Sequence, residues 1–303
     1  MIVAIGNPVY DEIQTPFVRT EARVLSGCST NACLVLRKLG YQDVRLVGNV
    51  GPEFREPFAR DMARFGLAYE VRLSPQTGGF CLVYNHSGDR TLDVLGVAGP
   101  IRHLPAQWKG TEFVLFGPIL QEVDLDLIRQ VRERTDAPFF LDPQGLVREQ
   151  VGEHIVHRPH PQMREIVSLC HVVKANESEA EVMTGIYPRR DPHGAVQALY
   201  EMGCAIAIVT LAEAGSVVYD GRTFYDIPAY RTLARDPTGA GDSYAGGFIY
   251  RYLQAEHPTE DLWSIACFAS AVASVMVEHT GPDFPLTLDE AERRTQVLLS
   301  QRD

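Results

Sequence analysis

The amino-acid sequence predicts an α/β fold: a doubly wound, mostly parallel sheet that carries helices on both faces, with a small second sheet inserted in it. Short apolar, β-branched runs alternate along the chain with helical patterns, and this alternation is typical of parallel sheets. Several helical patterns end at a glycine, which is a common helix stop. The chain has 303 residues, of which 45% are hydrophobic, so it can bury the core of one large domain.

The elements follow one another in a regular order. The first is an apolar run that stops at Gly6, and the helical pattern after it stops at Gly40. Strands are predicted at residues 2–5, 44–47, 113–116, 139–141, 171–173 and 206–209. Helices are predicted near residues 29–39, 57–65, 123–135, 162–169, 177–184, 194–202, 242–253 and 264–277.

Two regions break this alternation. Residues 71–73 and 79–96 have strand character, with a turn at 86–90. Together with residues 10–25 they are predicted to form a small antiparallel sheet that acts as a lid over the large sheet. We therefore expect one domain over residues 1–303, with lid segments at approximately 10–25 and 71–100.

The charge and composition exclude several classes of protein. Lys and Arg number 28 and Asp and Glu number 39, so the net charge is −11, and such a surface repels nucleic acid and anionic membranes. The longest apolar run, residues 265–277, is too short to cross a bilayer. The chain starts without a signal-peptide pattern, and its six cysteines include no C-x-x-C pair, which favours reduced thiols and a cytoplasmic protein.

The most specific motif is the run from Arg235 to Ile249. Gly239, Ala240 and Gly241 stand just before a predicted helix, so their backbone N–H groups can converge on an anion at the helix N-terminus. Asp242 follows at the mouth of this hole, where a carboxylate can take a proton from a hydroxyl during phosphoryl transfer. Because the helix dipole contributes only about 0.3–1 kcal/mol, Mg²⁺ is needed to neutralise most of the phosphate charge. Alone, Gly-x-Gly-Asp could equally be a capped helix start.

The longer run resembles the C-terminal signature of the ribokinase-like, or PfkB, family of carbohydrate kinases, Asp-Thr-x-Gly-Ala-Gly-Asp, which matches residues 236–242 with Pro237 in second place. Three further segments resemble the family's acceptor loop, its Gly-x-x-Gly-x-Asp-x-Phe stretch and its Asn-x-x-Glu motif: residues 26–31, 47–54 and 176–179. Residues 209–215 resemble the nucleotide-side strand and turn. The resemblance covers almost the whole chain and implies a ribokinase-like fold.

The resemblance implies roles for individual residues on the phosphate side. Asp242 would be the catalytic base, with Gly239, Ala240 and Gly241 as the anion hole. Glu179 and Asn176 would hold hydrated Mg²⁺; the alternative is a helix N-cap with a capping-box Glu. The residues expected near ATP are Thr210, Glu213, Gly215, Thr238, Ala271 and Ser274, although core packing explains Ala271 equally well. Asp236 and Thr238 also match positions that bind a monovalent cation in some members.

On the acceptor side the resemblance implies Asp11, Gly27 and Asn31, and Arg90 after the lid turn. Asn31 could instead be a polar residue of a first helical turn, and Arg90 a solvated side chain. The sequence departs from the family pattern at Val9, Ser26, Cys28 and Ala212. Residues 141–148 and 278–282 resemble the inositol-kinase-like branch, which favours a polyol over a sugar or nucleoside.

These motifs predict an ATP-dependent phosphotransferase that moves the γ-phosphate to an alcohol group of a small polyhydroxylated acceptor, a sugar or a polyol such as inositol. A nucleoside kinase of the same family and a non-catalytic sugar or nucleotide sensor are the alternatives. The chain lacks the Walker phosphate loop and a Gly-x-Gly-x-x-Gly after its first strand, so a Walker-type NTPase is excluded and a dinucleotide oxidoreductase disfavoured. An exposed edge of the lid sheet could pair two chains into a homodimer.

Overall fold

A nine-stranded sheet forms the centre of the protein in the computed structural model, which describes residues 1–85, 90–152 and 154–301. The strands described are β1 (Ile2–Ile5), β2 (Val9–Gln14), β3 (Val24–Ser26), β4 (Val44–Val50), β5 (Ala68–Leu73), β6 (Gly79–Tyr84), β7 (Arg90–Gly96), β8 (Phe113–Phe116), β9 (Phe139–Leu141), β10 (Arg148–Val151), β11 (His154–His157), β12 (Val172–Asn176), β13 (Ile206–Thr210), β14 (Ser216–Tyr219) and β15 (Phe224–Ile227). The sheet order is β15-β14-β13-β12-β9-β8-β1-β4-β5, and only β14 runs opposite to the other strands.

Helices cover both faces of this sheet. They are α1 (Cys28–Lys38), α2 (Arg55–Phe65), α3 (Leu125–Arg132), α4 (Met163–Ser168), α5 (Glu177–Thr184), α6 (Pro192–Tyr200), α7 (Ala240–Gln254), α8 (Leu262–Met276) and α9 (Leu288–Leu299). One buried cluster joins the sheet to α1, α2, α7 and α8, and a second joins its other face to α3, α4, α5 and α6. The predicted doubly wound α/β fold is confirmed. Among the described residues, no helix combines the length and apolar character that a bilayer crossing needs.

Two glycines of α7 bring this helix close to its neighbours. A Cβ atom on Gly246 would lie 2.9 Å from the carbonyl oxygen of Ala32 in α1. One on Gly247 would lie 3.0 Å from Cβ of Val272 in α8. Because both contacts are too short for a side chain, the glycines allow α1 and α8 to pack directly against the backbone of α7. This packing holds the N-termini of α1 and α7 beside each other.

The small sheet has the order β3-β2-β6-β7 and lies apart from the large one. Two details of the predicted lid are wrong. Residues 71–73 belong to β5, which pairs in parallel with β4 in the large sheet, since α2 provides the crossover that a parallel pair requires. The lid sheet is also mixed, because β2 pairs in parallel with β6. The predicted elements did not include β10, β11, β14, β15 and α9.

Candidate active site

The candidate site lies where the parallel strands end at their carboxyl edge, which is the usual ligand-binding edge of open α/β sheets. Asp142 directly follows β9, Asn176 is the last residue of β12, and Lys174 lies two residues before it. The helices α1 and α7 start above this edge. Gly117, after β8, makes room for α1, because a Cβ there would lie 2.7 Å from Sγ of Cys28.

The start of α7 forms the candidate anion hole. Gly239 caps the helix in a left-handed conformation with a φ of 80°, which glycine adopts without strain. A Cβ on Gly239 would lie 3.1 Å from Nδ2 of Asn31, and a Cβ on Gly241 would lie 2.6 Å from Nζ of Lys174. Both glycines, with Ala240 between them, therefore let polar side chains approach the first turn, whose amides have no acceptor within the helix.

Asp242 lies in that first turn with its carboxylate oriented by a neighbour. Its Oδ2 atom accepts a hydrogen bond of 2.9 Å from Nδ2 of Asn31. Burial and the charge of Asp142 raise the pKa of Asp242, while Lys174 and the bond from Asn31 oppose this rise. A carboxylate whose pKa is raised and whose orientation is fixed is suited to act as a general base.

A buried ion pair that sequence reasoning missed lies beside Asp242. Nζ of Lys174 is 2.6 Å from Oδ2 of Asp142, and each side chain is only 3% exposed. Burial alone would lower the pKa of Lys174, but Asp142 and the other carboxylates nearby raise it above its ordinary value. The side-chain ligand atoms of Cys28, Asp142 and Asp242 lie within 4.8 Å of one another. Burial and the two carboxylates raise the pKa of the Cys28 thiol, so it stays protonated.

Asn176 and Glu179 form a complete capping box at the start of α5. The Asn176 side chain accepts from the Glu179 amide at 2.9 Å, and Glu179 accepts from the Asn176 backbone amide at 2.8 Å. Burial and the charge of Asp142 raise the pKa of Glu179 to about 7, against the opposing effect of Lys174. The hydrogen bonds are therefore those of the capping alternative. The Glu179 carboxylate and the Asn176 amide also offer hard oxygen donors, which fit hydrated Mg²⁺.

On the predicted nucleotide side, Thr210 ends β13 and the turn after it is tightly packed. Gly215 has a φ of 93°, and a Cβ there would lie 2.0 Å from the carbonyl oxygen of Ile227, so only glycine fits. Ala212 is exposed and adopts a φ of 48°, a left-handed conformation in a residue that has a Cβ. The Glu213 side chain is exposed and pairs with Arg189 at 2.8 Å.

The two predicted residues of α8 are both buried. Ala271 is enclosed in the apolar cluster between the helix and the sheet, as the core-packing alternative predicts. The Ser274 hydroxyl donates to the Ala271 carbonyl at 2.6 Å and accepts from Nη1 of Arg294 at 2.9 Å. Ser274 is therefore held by the C-terminal helix α9, which the sequence reading did not include.

Asp236 and Thr238 lie in the loop before α7. Oδ1 of Asp236 accepts from the Thr238 amide at 2.9 Å, while its buried Oδ2 atom has no hydrogen-bond partner among the described residues. Burial raises the pKa of Asp236, and polar groups of Thr238 and Thr280 oppose the rise. A buried carboxylate oxygen of this kind fits a monovalent cation. The Thr238 hydroxyl also bonds the Tyr84 hydroxyl of the lid at 3.0 Å.

Three of the residues predicted for the acceptor, Asp11, Gly27 and Asn31, lie where the lid meets α1. Asp11 is buried in β2, and its Oδ1 atom accepts from the Phe80 amide of the neighbouring lid strand at 2.8 Å. Gly27 caps α1 with a φ of 113°, and a Cβ there would lie 3.0 Å from the Asn7 carbonyl oxygen. Asn31 lies in the first turn of α1, where it contacts Asp242. Arg90 starts β7, but its side chain lies outside the described residues.

A second buried carboxylate, which the sequence reading did not include, shapes this junction. Glu122 accepts hydrogen bonds from the backbone amides of Asn7, Ile119 and Leu120 at 2.8–3.0 Å. Burial raises the pKa of Glu122, and these amides oppose the rise. Glu122 thus joins the loops that follow β1 and β8, and with them it lines a small cavity under the lid. In the sequence Glu122 is a single Glu beyond a predicted strand, and no motif indicates that it is buried or bound to backbone amides.

Comparisons with known proteins show which family the chain belongs to. A family model described as pfkB family carbohydrate kinase matches residues 10–288. The ribokinase of Mus musculus is 32% identical over 283 residues, which cover 86% of this chain and 83% of the relative. The cytidine kinase of Thermococcus kodakarensis is 28% identical over 260 residues, covering 83% of this chain and 88% of the relative.

Two solved structures share the fold at low sequence identity. A pyrophosphate-dependent kinase in the ribokinase family has a TM-score of 0.81 and 23% identity, with coverage of 96% of this chain and 99% of that chain. A nucleoside kinase of Burkholderia thailandensis, in complex with inosine, has a TM-score of 0.77 and 20% identity, with coverage of 100% and 99%. The chain belongs to the PfkB family of carbohydrate kinases, because the family model matches residues 10–288.

Proposed function

We propose that this kinase transfers the γ-phosphate of ATP to an alcohol group of a small polyhydroxylated acceptor, a sugar or a polyol. One observation carries the proposal: Asp242 stands in the first turn of α7, directly beside the Gly239–Gly241 anion hole, and Asn31 fixes its carboxylate at 2.9 Å. A base and an anion site on the same helix turn are what in-line phosphoryl transfer requires.

In the reaction, Asp242 takes the proton of the acceptor hydroxyl while that oxygen attacks the phosphorus. The amides of the first turn of α7 bind the charge that develops on the transferring phosphoryl group. Asn31 keeps the Asp242 carboxylate turned toward the acceptor side. Closure of the lid excludes water, so that the acceptor hydroxyl is the only nucleophile in reach.

Glu179 and Asn176 would hold the magnesium ion, because they place a carboxylate and an amide oxygen at the same strand edge. When bound, Mg²⁺ supplies charge neutralisation on the donor phosphates. Thr210, Gly215 and the neighbouring turn are assigned to the nucleotide, and Asp236 and Thr238 to a monovalent cation. The buried Oδ2 atom of Asp236 supports that last assignment.

The acceptor is assigned to the junction of the lid with α1. The buried Asp11 carboxylate and the Gly27 backbone are suited to bind neighbouring hydroxyl groups. Residues 141–148 resemble the inositol-kinase-like branch, which favours a polyol. The second candidate is a nucleoside acceptor. The cytidine kinase relative, which matches 83% of the chain, supports that alternative.

We assign the protein to the cytoplasm, on the basis of its reduced, scattered cysteines. We also propose a homodimer through an edge of the lid sheet, where β3 and β7 are the outer strands. Size-exclusion chromatography with light scattering measures the dimer directly. A monomer at micromolar concentration would contradict this assignment.

The test of the function is ADP release with MgATP against polyols, sugars and nucleosides, and phosphate release with pyrophosphate as a second donor. Turnover on one acceptor class that falls by orders of magnitude in Asp242→Asn supports the proposal, and the class names the acceptor. Asp283→Asn is the matched control, because this exposed carboxylate pairs only with Arg64 in the described structure. Binding of ATP and acceptor without turnover would instead support a non-catalytic sensor.

A further inference from the structure

We propose that Lys174 is a further catalytic residue, whose ammonium group contacts the transferring phosphoryl group beside the anion hole, and that Asp142 is its positioning residue. The proposal rests on the phosphoryl transfer proposed above. Neither residue is part of the base, the anion hole or the magnesium site assigned above.

The first argument is the location of the ammonium group. Nζ of Lys174 lies 2.6 Å from the point where a Cβ of Gly241 would stand, so the amine occupies the space that a side chain in the anion hole would fill. The position lies at the N-terminus of α7, where the peptide dipoles already favour an anion. A fixed cation there adds a full charge to the partial charges of the amides.

The second argument concerns charge. Five titratable groups, on three helices and in the loop after β9, interact with Lys174 electrostatically: Cys28, Asp142, Glu179, Asp242 and Tyr244. Among the residues that the structure describes, only Asp142 lies in a close ion pair with it, at 2.6 Å. The ion pair with Asp142 holds the amine against the first turn of α7.

The third argument concerns stability. Buried ion pairs contribute little to stability compared with neutral residues of similar shape, because each charge loses its hydration. A pair that is almost completely buried at the functional edge of the sheet therefore points to a role in binding charge. In the reaction, the bond from phosphorus to the leaving oxygen breaks, the acceptor oxygen forms the new bond, and its proton goes to Asp242. Lys174 keeps its own proton throughout.

The experiment uses the full chain and neutralises the pair in one step, in Lys174→Met/Asp142→Asn. The double variant keeps the net charge and removes both buried charges, so it is expected to fold with a melting temperature close to that of the wild type. We expect kcat to fall about 100- to 1,000-fold, the range seen when one donor to a developing anion is lost, with little change in the KM for the acceptor. Arg45→Met/Glu70→Gln neutralises the partly exposed pair between β4 and β5 and should leave kcat unchanged.

A second readout does not depend on turnover. Inorganic sulfate, as a phosphoryl mimic, should raise the melting temperature of the wild type and of the Arg45/Glu70 variant but not that of the Lys174/Asp142 variant. If the double variant folds and retains wild-type kcat, or if sulfate stabilises it as it does the wild type, the pair is structural and the proposal is refuted. If the wild type shows no turnover on any acceptor, the proposed function fails, and the sulfate shift alone decides the role of Lys174.

Discussion

The hydrogen bond between Asn31 and Asp242 allows the role of each partner to be measured. Asn31→Leu keeps a side chain of similar size and removes the amide that donates to Oδ2 at 2.9 Å. A hydrogen bond to a charged group contributes about 1.5–3 kcal/mol, so kcat/KM should fall about 10- to 150-fold if the bond is made fully in the transition state.

The pH dependence should change as well, and its sign follows from the structure. The base must be ionised to accept a proton, so activity rises with pH through the pKa of Asp242. The bond from Asn31 lowers that pKa, against the raising effect of burial and Asp142. Its loss therefore raises the pKa further, and the acidic limb of the kcat profile should move to higher pH.

The measurement is steady-state kinetics from about pH 5 to 9, which spans the raised pKa values that buried carboxylates can reach. Thr30→Val is the control, because its hydroxyl lies in the same turn of α1 and makes no hydrogen bond in the described part of the chain. If Asn31 only binds the acceptor, its loss raises KM and leaves the acidic limb in place. That outcome would refute the reasoning about Asp242.

Three further predictions concern other parts of the protein. Glu179→Gln preserves the capping box, because Gln also serves at that position, so the melting temperature should hardly change. The Mg²⁺ concentration that gives half-maximal activity should rise. If that concentration is unchanged, Glu179 only caps the helix. Ala212→Gly relieves the strain of a left-handed backbone at an alanine, so it should raise the free energy of unfolding in urea by about 1 kcal/mol. A lower free energy of unfolding would show that the backbone at Ala212 is not strained. Gly246→Val should destabilise by about 1–3 kcal/mol or more in the same assay, because its Cβ would stand 2.9 Å from the Ala32 carbonyl oxygen; unchanged stability would contradict the close packing.

The sequence predicts the central strands well, because strands buried on both faces are continuous apolar runs. The runs 113–116 and 139–141 coincide with β8 and β9. It predicts the edge of the sheet poorly. The strands β14 and β15 have four residues each, they pair antiparallel and β15 is partly exposed, so their patterns do not differ clearly from loops.

The candidate site divides in the same way. A glycine-rich helix start followed by Asp242 is a local motif and can be recognised in sequence. The pair of Lys174 and Asp142 depends on the register between β12 and β9, in which Val173 lies opposite Leu141, so the next residues on each strand become neighbours. No local sequence pattern predicts that register. Asn31 was assigned to the acceptor, and its contact with Asp242 depends on the packing of α1 against α7.

That contact joins residues 211 positions apart in the chain. The candidate base is therefore oriented only after the first helix and the last third of the sequence have come together, and such long-range contacts form late and slowly in folding. Even when β1 to β13 have formed, the Asp242 carboxylate is not yet in position to accept the proton. In refolding, phosphoryl transfer should therefore return with the final docking of α7, after most of the secondary structure is present. Similarly, a nascent chain gains this activity only at the end of its synthesis.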